Sequence, residues 1–516
     1  MDRRDLGSNV VEFGSARVVI VIGVMLATLL QTLDTTIVNV ALPTIQGNLG
    51  ATIDEGAWVV TGYIISAVIV IPLTPWLQLR FGRRQYYATA IFGFTIASAL
   101  CGLSHSIGEL IFWRLVQGLF GGGLLATGQA TLRDTFPISQ LGASQALFSL
   151  GAIVGPSVGP YLGGVLTDNV SWNWVFFINV IPGTLAGMIV LMRLRNPNEP
   201  TKAPIDLPGL VLLAIGLGSL QYVLGQGERN EWFDSSAIRL FTTTAVIGLG
   251  AFVAWELRAK VPIVDLRTLR FRPVWAGSML AFTVGASLYG AIVLMPQYTQ
   301  SVLGFTATLT GELIFMRAIC IAIATIPVAA LVGRGKLDAR VSLGLGFLLV
   351  SLSNYLQAVD TTAVSGFWTF LLPQITGGLG LGMLFVPISI AVLSSVPQQV
   401  APKAVSFTSL SVQLGGSIST AYLVTLLDRR SAAHLSDLAG TATLNNPAVR
   451  EFLMHHLPLA ELFGIINRQA TTLAFADASF FLAALSLVLA PLVIFLRRPK
   501  RAAQPFAPNV AAVEVA

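Results

Sequence analysis

The sequence carries few charged residues and contains no long polar stretch that could form a soluble domain. Only 11% of its 516 residues are charged, whereas 54% are hydrophobic, and the mean hydropathy is +0.75. Soluble globular domains carry about 25% charged residues. The scarcity of charge therefore excludes a soluble class and predicts an all-α polytopic membrane protein.

The sequence also has only two cysteines and four histidines. Cys101 and Cys320 lie far apart within apolar runs, which excludes a disulfide framework and a cysteine-based metal site. Neither a P-loop nor an HExxH motif is present, and these motifs would indicate nucleotide binding or metalloprotease chemistry. We therefore expect no enzyme, no catalytic residue, no metal and no cofactor, and we expect the proton motive force, not ATP, to drive any transport.

Fourteen apolar runs are long enough to cross a bilayer, since a transmembrane helix needs about 20 predominantly apolar residues. They occupy approximately residues 18–40, 57–79, 86–104, 109–131, 142–167, 173–193, 208–226, 237–257, 273–299, 311–333, 341–359, 366–390, 404–427 and 475–496. We interpret them as two pseudo-symmetric six-helix bundles, 18–193 and 273–496, with two transmembrane helices inserted between them at 208–257.

Basic residues mark one side of the membrane. If the N-terminus is cytoplasmic, the cytoplasmic segments hold 23 of the 31 Lys and Arg residues and the opposite segments hold six. The positive-inside rule then places both the N-terminal segment 1–17 and the tail 497–516 in the cytoplasm. The net charge of +6 reflects these loops and does not indicate nucleic-acid binding. The Ala/Pro-rich tail is expected to be disordered. Residues 429–474 are expected to be a long, mostly polar loop on the outer side, a small extramembrane feature with helical stretches.

Two segments repeat the same spacing in the two bundles. The fourth span of the first bundle reads FWRLVQGLFGGG (112–123), and the fourth span of the second reads LPQITGGLGLGM (372–383). Arg114-x-x-x-Gly118 thus aligns with Gln374-x-x-x-Gly378. Related six-helix halves are typical of transporters in which the halves rock around a central site.

Asp34 lies near the end of the first apolar run, where an ionised carboxylate is costly. It falls about six residues, or ~9 Å, from the outer end of its span, and Arg114 about five residues, or ~8 Å, from the outer end of the fourth. We therefore expect the two to pair. Burial favours the neutral acid and the arginine favours the carboxylate, so the pair could exchange a proton during transport. The alternative is a permanent ion pair that only fixes helix packing.

Glu312 and Arg317 form a second candidate pair of cavity charges in the tenth span. Arg317 falls about six residues, or ~9 Å, from the outer end of that span, and Glu312 precedes it by about one helical turn. The alternative is that both side chains extend to the outer membrane interface.

A glycine ridge follows from the sequence GAIVGPSVGPYLGG in the fifth span. Gly151, Gly155, Gly159 and Gly163 recur every four residues, which places them on one face of a helix and lets another backbone approach closely. Pro156 and Pro160 are expected to bend this helix. We interpret the ridge as a sliding contact between two rocking halves, with ordinary tight packing as the alternative.

These segments resemble a known family. LDTTIVNVALP, RLVQGLFGGG, GPSVGPYLGG, WNWVFFINVIPG and VPIVDL occur in the order typical of the fourteen-helix drug:proton antiporters of the major facilitator superfamily. Within it they resemble the EmrB/QacA subfamily and its EmrB-type multidrug exporters. The resemblance covers residues 15–498 and implies export of hydrophobic or amphipathic toxins in exchange for protons, across the bacterial inner membrane. It also implies a periplasmic adaptor and an outer-membrane channel as partners.

The resemblance further assigns roles to residues. Asp34 corresponds to the first-helix acid linked to protonation and substrate, and Arg114 to the fourth-helix arginine linked to coupling. Gly155, Pro156 and Gly159 belong to the antiporter motif.

One loop departs from the family pattern. Where the family often has Gly-x-Leu-x-Asp-x-x-Gly-Arg between helices 2 and 3, this chain has Pro75 and Leu79 in place of the Gly and the Asp. The cytoplasmic basic residues Arg80, Arg83 and Arg84 of this loop therefore need other partners, such as lipid headgroups.

Two other functions stay open from the sequence. One is a dedicated proton-coupled exporter of a single metabolite, such as an aromatic or fatty acid. The other is a sensor or scaffold, which would not need buried charges at one depth. A coupled flux of substrate and protons would separate transport from the latter.

Overall fold

The computed structural model describes residues 15–137, 140–196, 201, 204–260, 262–396, 400–442, 449–450 and 459–496. Every regular element within these ranges is a helix. Inside a bilayer no water satisfies backbone N–H and C=O groups, so each span must satisfy its own, and a helix does this within one segment. The all-α expectation is confirmed for the described chain.

Nine helices build the six spans of the N-terminal half, because three spans are interrupted. The interruptions are a glycine pair after Gly121, a π-helical turn over Leu150–Val154 and a break after Phe177. The helices are α1 (Ser15–Leu49), α2 (Ile53–Phe81), α3 (Arg83–Gly102), α4 (Ile107–Gly121), α5 (Leu124–Thr135), α6 (Leu141–Ser149), α7 (Gly155–Asn169), α8 (Trp174–Phe177) and α9 (Val180–Arg193).

Two inserted helices and the second half follow. The inserted pair packs closely enough that Gly248 lies against Gly216 of the neighbouring helix. The helices are α10 (Leu207–Gln226), α11 (Ser236–Glu256), α12 (Arg272–Ser301), α13 (Ala307–Gly333), α14 (Ala339–Asp360), α15 (Phe367–Gly382), α16 (Phe385–Leu393), α17 (Ala401–Thr441) and α18 (Leu459–Leu489), the last continued by a 3₁₀ turn over Ala490–Phe495.

These helices form fourteen membrane-spanning rods within the described chain. Thirteen are long and apolar enough to cross a membrane by composition alone. The fourteenth is α3, whose first five residues, RRQYY, lower its mean hydropathy. The fourteen-helix arrangement is thereby confirmed. An even number of crossings puts the start of α1 and the end of α18 on one side, which we call the terminal side.

The segment 429–474 is largely helical over its described length, in agreement with the helical stretches expected there, because α17 continues to Thr441 and α18 begins at Leu459. Helix α17 has 41 residues, which is about 62 Å at 1.5 Å per residue and about twice a bilayer core. Apolarity marks where a membrane ends, but a helix can continue into water. Asp477 of α18 contacts α17 through Arg430 at 2.6 Å and His434 at 2.9 Å. Residues 1–14 and the tail 497–516 lie outside the described chain.

The repeat in the sequence corresponds to one packing register in both halves. A side-chain carbon at Gly118 of α4 would meet the carbonyl oxygen of Tyr63 in α2, and one at Gly378 of α15 would meet that of Arg317 in α13. One turn later, Gly122 faces the carbonyl of Ala67, and Gly382 faces that of Ile321. The two helix pairs therefore cross in the same way, and Arg317 occupies the position of Tyr63.

The two halves meet along a seam formed by α13 against α6 and α7. On the terminal side, Gly142 packs on the backbone of Ala329 and on Gly333. On the opposite side, the backbone at Gly311 lies against Tyr161. The seam is therefore closed at both ends in this structure.

A cavity remains between the halves, with a volume of only about 30 Å³. Sites for drug-sized ligands are typically 300–1,000 Å³, so the halves must separate before such a molecule can enter. Gln31 and Thr32 of α1 line the cavity from one half, and Tyr289 of α12 and Gln413 of α17 from the other. No lining residue is charged.

Candidate functional site

Asp34 and Arg114 form a buried ion pair in the middle of the N-terminal half. The Arg114 Nη1 atom lies 2.6 Å from Asp34 Oδ2, and the two side chains are 1% and 0% exposed. The structure thus brings together the two charges that were expected to pair because of their similar depth in the membrane. Helix α1 is longer than the predicted span 18–40. Because neither group reaches water, each depends on the other for its charge to be tolerated.

Two amides complete the shell around the Asp34 carboxylate. Gln117 donates from Nε2 to Asp34 Oδ1 at 3.0 Å. Asn179, at the start of α9, donates from Nδ2 to the same oxygen at 3.2 Å and to Ser98 Oγ at 3.0 Å. The carboxylate therefore accepts three hydrogen bonds from two other spans, from Arg114 and Gln117 of α4 and from Asn179 next to α9.

Neither amide was predicted from the sequence, although the spacing of Gln117 from Arg114 could have indicated its position next to Asp34. Gln117 follows Arg114 by three residues and therefore shares its helix face. Asn179 lies in the apolar stretch FFINVIPG, and nothing in its local pattern points to α1. Only the packing of α9 against α1 brings it to Asp34.

The Arg114 guanidinium is fixed by several further contacts. Its Nε donates to the carbonyl oxygen of Val59 at 3.0 Å, and its Nη1 to Gln117 Oε1 at 2.7 Å. The Tyr63 ring lies 4.4 Å from the guanidinium carbon, within the range of a cation–π interaction. A planar guanidinium held through Nε and Nη1 can keep the carboxylate in one geometry.

The cluster also contains buried atoms that have no partner in this conformation. Among the described residues, Tyr63 Oη and Asn179 Oδ1 make no hydrogen bond. Buried polar groups are normally paired. A hydroxyl and a carbonyl next to the ion pair could accept or donate new bonds if Asp34 became protonated, which supports a second arrangement of the cluster.

The glycine ridge faces α1 of its own half and does not face the other half. Thr32 of α1 donates from Oγ1 to the carbonyl oxygen of Gly151 at 2.9 Å. A side-chain carbon at Gly155 would meet Thr32, one at Gly159 would meet Thr36 and the backbone of α1, and one at Gly163 would meet the Ile37 carbonyl. The interpretation as a sliding contact between halves was therefore wrong. The small residues let α1, a helix of the same half, pack closely, whereas α7 contacts α13 through other residues such as Tyr161. The ridge instead supports the helix that carries Asp34.

The proline after the π-helical turn explains the shape of this span. Pro156 lacks an N–H group and cannot make the regular helical bond, and the π-helical turn over Leu150–Val154 comes directly before it. Residues 155–159 also match the spacing Gly-x-Ser-x-Gly of a nucleophile elbow, which requires a sharp strand-to-helix turn. Here they lie within α7 with Ser157 buried, so the match indicates no hydrolase site.

Glu312 and Arg317 do not form a pair. Glu312 is exposed, whereas Arg317 is 4% exposed, so the alternative of a pair that extends to the interface is wrong. The role of each residue as a cavity charge stays a prediction. The two residues are five positions apart in α13, which turns their side chains away from each other. Within the described chain, Arg317 makes one hydrogen bond, from Nη2 to Ser353 Oγ at 3.4 Å.

Arg83, at the junction of α2 and α3, pairs with an acid of another helix. Arg83 Nη1 lies 2.7 Å from Asp134 Oδ2 of α5, and its Nε donates to Gln78 at 3.1 Å. Asp134 thus supplies the acid that Leu79 does not. Arg84 Nε donates to the Leu191 carbonyl at 2.7 Å, and Arg80 is exposed.

Comparisons with known proteins agree with this architecture. Residues 24–420 match the model of the Major Facilitator Superfamily. The chain is 36% identical to the multidrug export protein EmrB of Escherichia coli K12 over 437 residues, 84% of this chain and 85% of that protein. It is 32% identical to the fatty acid resistance protein FarB of Neisseria gonorrhoeae, covering 94% and 97%. The crystal structure of the human organic anion transporter MFSD10 superposes with a TM-score of 0.57 at 13% identity, covering 91% and 99%.

Proposed function

Because the chain belongs to the Major Facilitator Superfamily and to its EmrB-type branch, we propose that it is a proton-coupled exporter of hydrophobic and amphipathic toxic compounds. It is a transporter and not an enzyme, and it is a multi-pass protein of the bacterial inner membrane that acts on small molecules. The observation that carries the proposal is the Asp34–Arg114 pair, a titratable group fully buried at the centre of one half.

Protonation of Asp34 would change the packing of two helices together. A neutral Asp34 no longer balances the Arg114 charge, and a buried charge without its partner is strongly unfavourable. The pair joins α1 to α4, so relief requires these helices to move relative to each other. Gln31 and Thr32, on the same helix as Asp34, line the central cavity. A proton at Asp34 can thus alter the substrate cavity without entering it.

The lining of the cavity supports broad specificity. Its walls combine apolar side chains with neutral polar ones such as Thr32 and Gln413. Such a surface gains binding energy from buried apolar area, which is not directional, and it places few geometric demands on a ligand. Apolar compounds of different shapes could therefore bind once the halves separate.

The transport cycle follows from this coupling. Substrate enters from the cytoplasm or the inner leaflet while Asp34 is ionised, and the halves then rock to open outward. A periplasmic proton reaches Asp34, weakens substrate binding and returns with the carrier. The charge distribution of the loops supports an orientation with both termini in the cytoplasm, and we propose that the proton gradient, not ATP, supplies the energy.

The long helices α17 and α18 support a further part of the proposal, a periplasmic adaptor protein that leads to an outer-membrane channel. With both termini cytoplasmic, the extension held by Arg430 and Asp477 projects into the periplasm. The first turns of α18 expose Leu459 and Phe463, which offer apolar area to a partner.

The decisive experiment measures proton movement in everted vesicles with an acidified interior. Addition of hydrophobic cations or aromatic acids should alkalinise the interior, and Asp34→Asn should abolish this response while membrane insertion is kept. Asp168→Asn, at an exposed position, is the matched control and should respond like the wild type. Normal coupled export by Asp34→Asn would remove the assignment, and a response to one acid alone would favour the dedicated metabolite exporter.

A further inference from the structure

The segment that connects the inserted pair to the second half is partly buried, although it lies between two membrane spans. It runs on the terminal side from the end of α11 at Glu256 to the start of α12 at Arg272. Connecting segments normally run over the protein surface, but Ile263 and Val264 are only 5% and 8% exposed. This part of the connection is therefore packed against helices, and we call residues 263–266 the strap.

The strap lies between one helix of each half. Its residues 263–265 line a small cavity of about 10 Å³ together with Pro72 and Pro75 of α2 and with Phe407 and Leu410 of α17. Such a volume holds about one water molecule. The strap thus nearly fills the space between α2 of the first half and α17 of the second half.

This space adjoins the central cavity on the terminal side. Ile71 of α2 and Ser409 of α17 line the central cavity, whereas Pro72 and Ser406 line the small one. Helix α2 runs towards the terminal side and α17 runs away from it, so both steps lead from the central cavity towards the terminal side. The central cavity therefore cannot open to that side between α2 and α17 unless the strap leaves one of them.

The strap is tied to the inserted pair by contacts at the end of α11. The buried side chain of Glu256 accepts a hydrogen bond from the Val264 N–H at 3.3 Å, and Arg267 Nη2 donates to the Leu257 carbonyl at 3.2 Å. The inserted pair in turn packs on the first half, since α2, α10, α11 and the strap share one cluster of buried apolar side chains. The strap is therefore expected to move with the inserted pair and with α2.

A partly exposed ion pair joins the strap to the second half. Lys403 Nζ, in the first turn of α17, lies 3.0 Å from Asp265 Oδ2, and the two side chains are 36% and 24% exposed. Ion pairs that reach water contribute little free energy, because water solvates the separated charges well. This contact can therefore break and form again at low cost when α17 moves away from α2.

We propose that the strap closes the central cavity on the terminal side and that the Asp265–Lys403 pair is its latch to the second half. In the orientation of the proposed function, on which this inference rests, the terminal side is cytoplasmic. The latch must then release before substrate can enter, as closing loops do in other proteins. The strap stays with the inserted pair and α2 while α17 withdraws, which gives the two inserted helices a role in the transport cycle.

A reversible cross-link tests whether the latch must release. Asp265→Cys/Lys403→Cys is prepared without the two native cysteines and is joined by the shortest bis-methanethiosulfonate, whose disulfides a reductant cleaves. Export in proteoliposomes should fall at least tenfold on linking and return on reduction, because the strap can no longer leave α17. Arg17→Cys/Gln140→Cys replaces a hydrogen-bonded pair within the first half, also on the terminal side, with a distance of 2.9 Å. This matched control should export equally with and without the link.

Labelling of the central cavity measures the same release without transport. Gln413→Cys, at a position that lines this cavity, is treated with a membrane-impermeant maleimide in everted vesicles, whose outer face is the cytoplasmic one. Lys403→Gln should raise the labelling rate about twofold to fivefold, the effect of losing one partly exposed ion pair. Asp265→Asn should have the same effect, and the double variant should exceed neither single variant. Lys260→Gln, at an exposed site of the same connection, is the control and should leave the rate unchanged.

The strap and the proposed function fail in different ways. Undiminished export by the linked Asp265→Cys/Lys403→Cys protein, or equal labelling rates in the latch variants and in Lys260→Gln, would overturn the strap. If compounds are still exchanged for protons in that case, the proposed function stands. If labelling responds to the latch as expected but no compound moves protons, the proposed function is refuted and the strap stands.

Discussion

Replacing Arg114 with Met should destabilise the protein more than replacing both charges of the pair. In the single variant, Asp34 keeps hydrogen bonds from Gln117 and Asn179 at 3.0 and 3.2 Å but loses the cation at 2.6 Å. A buried carboxylate then remains without a counter-charge, and breaking a buried pair in this way costs about 3–5 kcal/mol. The two remaining amide donors place the expected loss near the lower end, about 3 kcal/mol.

The double variant Asp34→Asn/Arg114→Met removes both charges. Its remaining loss comes from packing against Tyr63 and from the acceptors left at Val59 and Gln117, about 1–3 kcal/mol for an unsatisfied buried group. Asp34→Asn alone leaves Arg114 without its counter-charge and should also cost about 3 kcal/mol. The two single losses, together about 6 kcal/mol, should therefore exceed the loss in the double variant by at least about 2 kcal/mol, within the range of coupling energies between residues in contact.

Reversible unfolding in mixed detergent and dodecyl sulfate micelles measures these free energies, with the fluorescence of the nine tryptophans as the signal. All four proteins of the cycle are unfolded under the same conditions. Additive losses would show that the two charges do not interact, and this would remove the physical basis for proton coupling through Asp34.

Two further predictions test the surroundings of the pair. Gly159→Leu should lower export at least tenfold, because the new side chain would collide with the backbone of α1. Gly250→Leu is the control, since nothing lies within 4 Å of a side-chain carbon at that position. Equal export by the two variants would contradict the role of the ridge. Asp134→Asn should lower the free energy of unfolding by about 1–3 kcal/mol, because Arg83 is left largely buried without its acid; the same unfolding assay measures this, and a loss no larger than that of Asp168→Asn would refute the contact.

The closed seam couples substrate binding in the central cavity to the separation of the two halves. With a volume of about 30 Å³, the cavity has no room for a drug-sized molecule, so substrate binding and separation of the halves must occur together. In the proposed function, Asp34 acts on this equilibrium from the first half.

The membrane architecture could be predicted from the order of the amino acids alone. Low charge and fourteen apolar runs decide the number of spans, because a bilayer accepts only segments that are apolar and long enough. The equal depth of Asp34 and Arg114 could be read in the same way, since position along a helix is a linear function of residue number. The repeat around Gly118 and Gly378 was also visible, because close helix contacts need glycine at fixed spacing.

The side chains that contact one another could not be predicted from local sequence, because they depend on how distant helices pack. Asn179 reaches Asp34, and Asp134 reaches Arg83, through contacts between distant segments that leave no local pattern. The glycine spacing showed that a close neighbour exists but not that this neighbour is α1. Whether Arg317 has a partner depends on what every surrounding helix lacks at that depth, because an ion pair depends on distance in three dimensions and not on spacing along the chain.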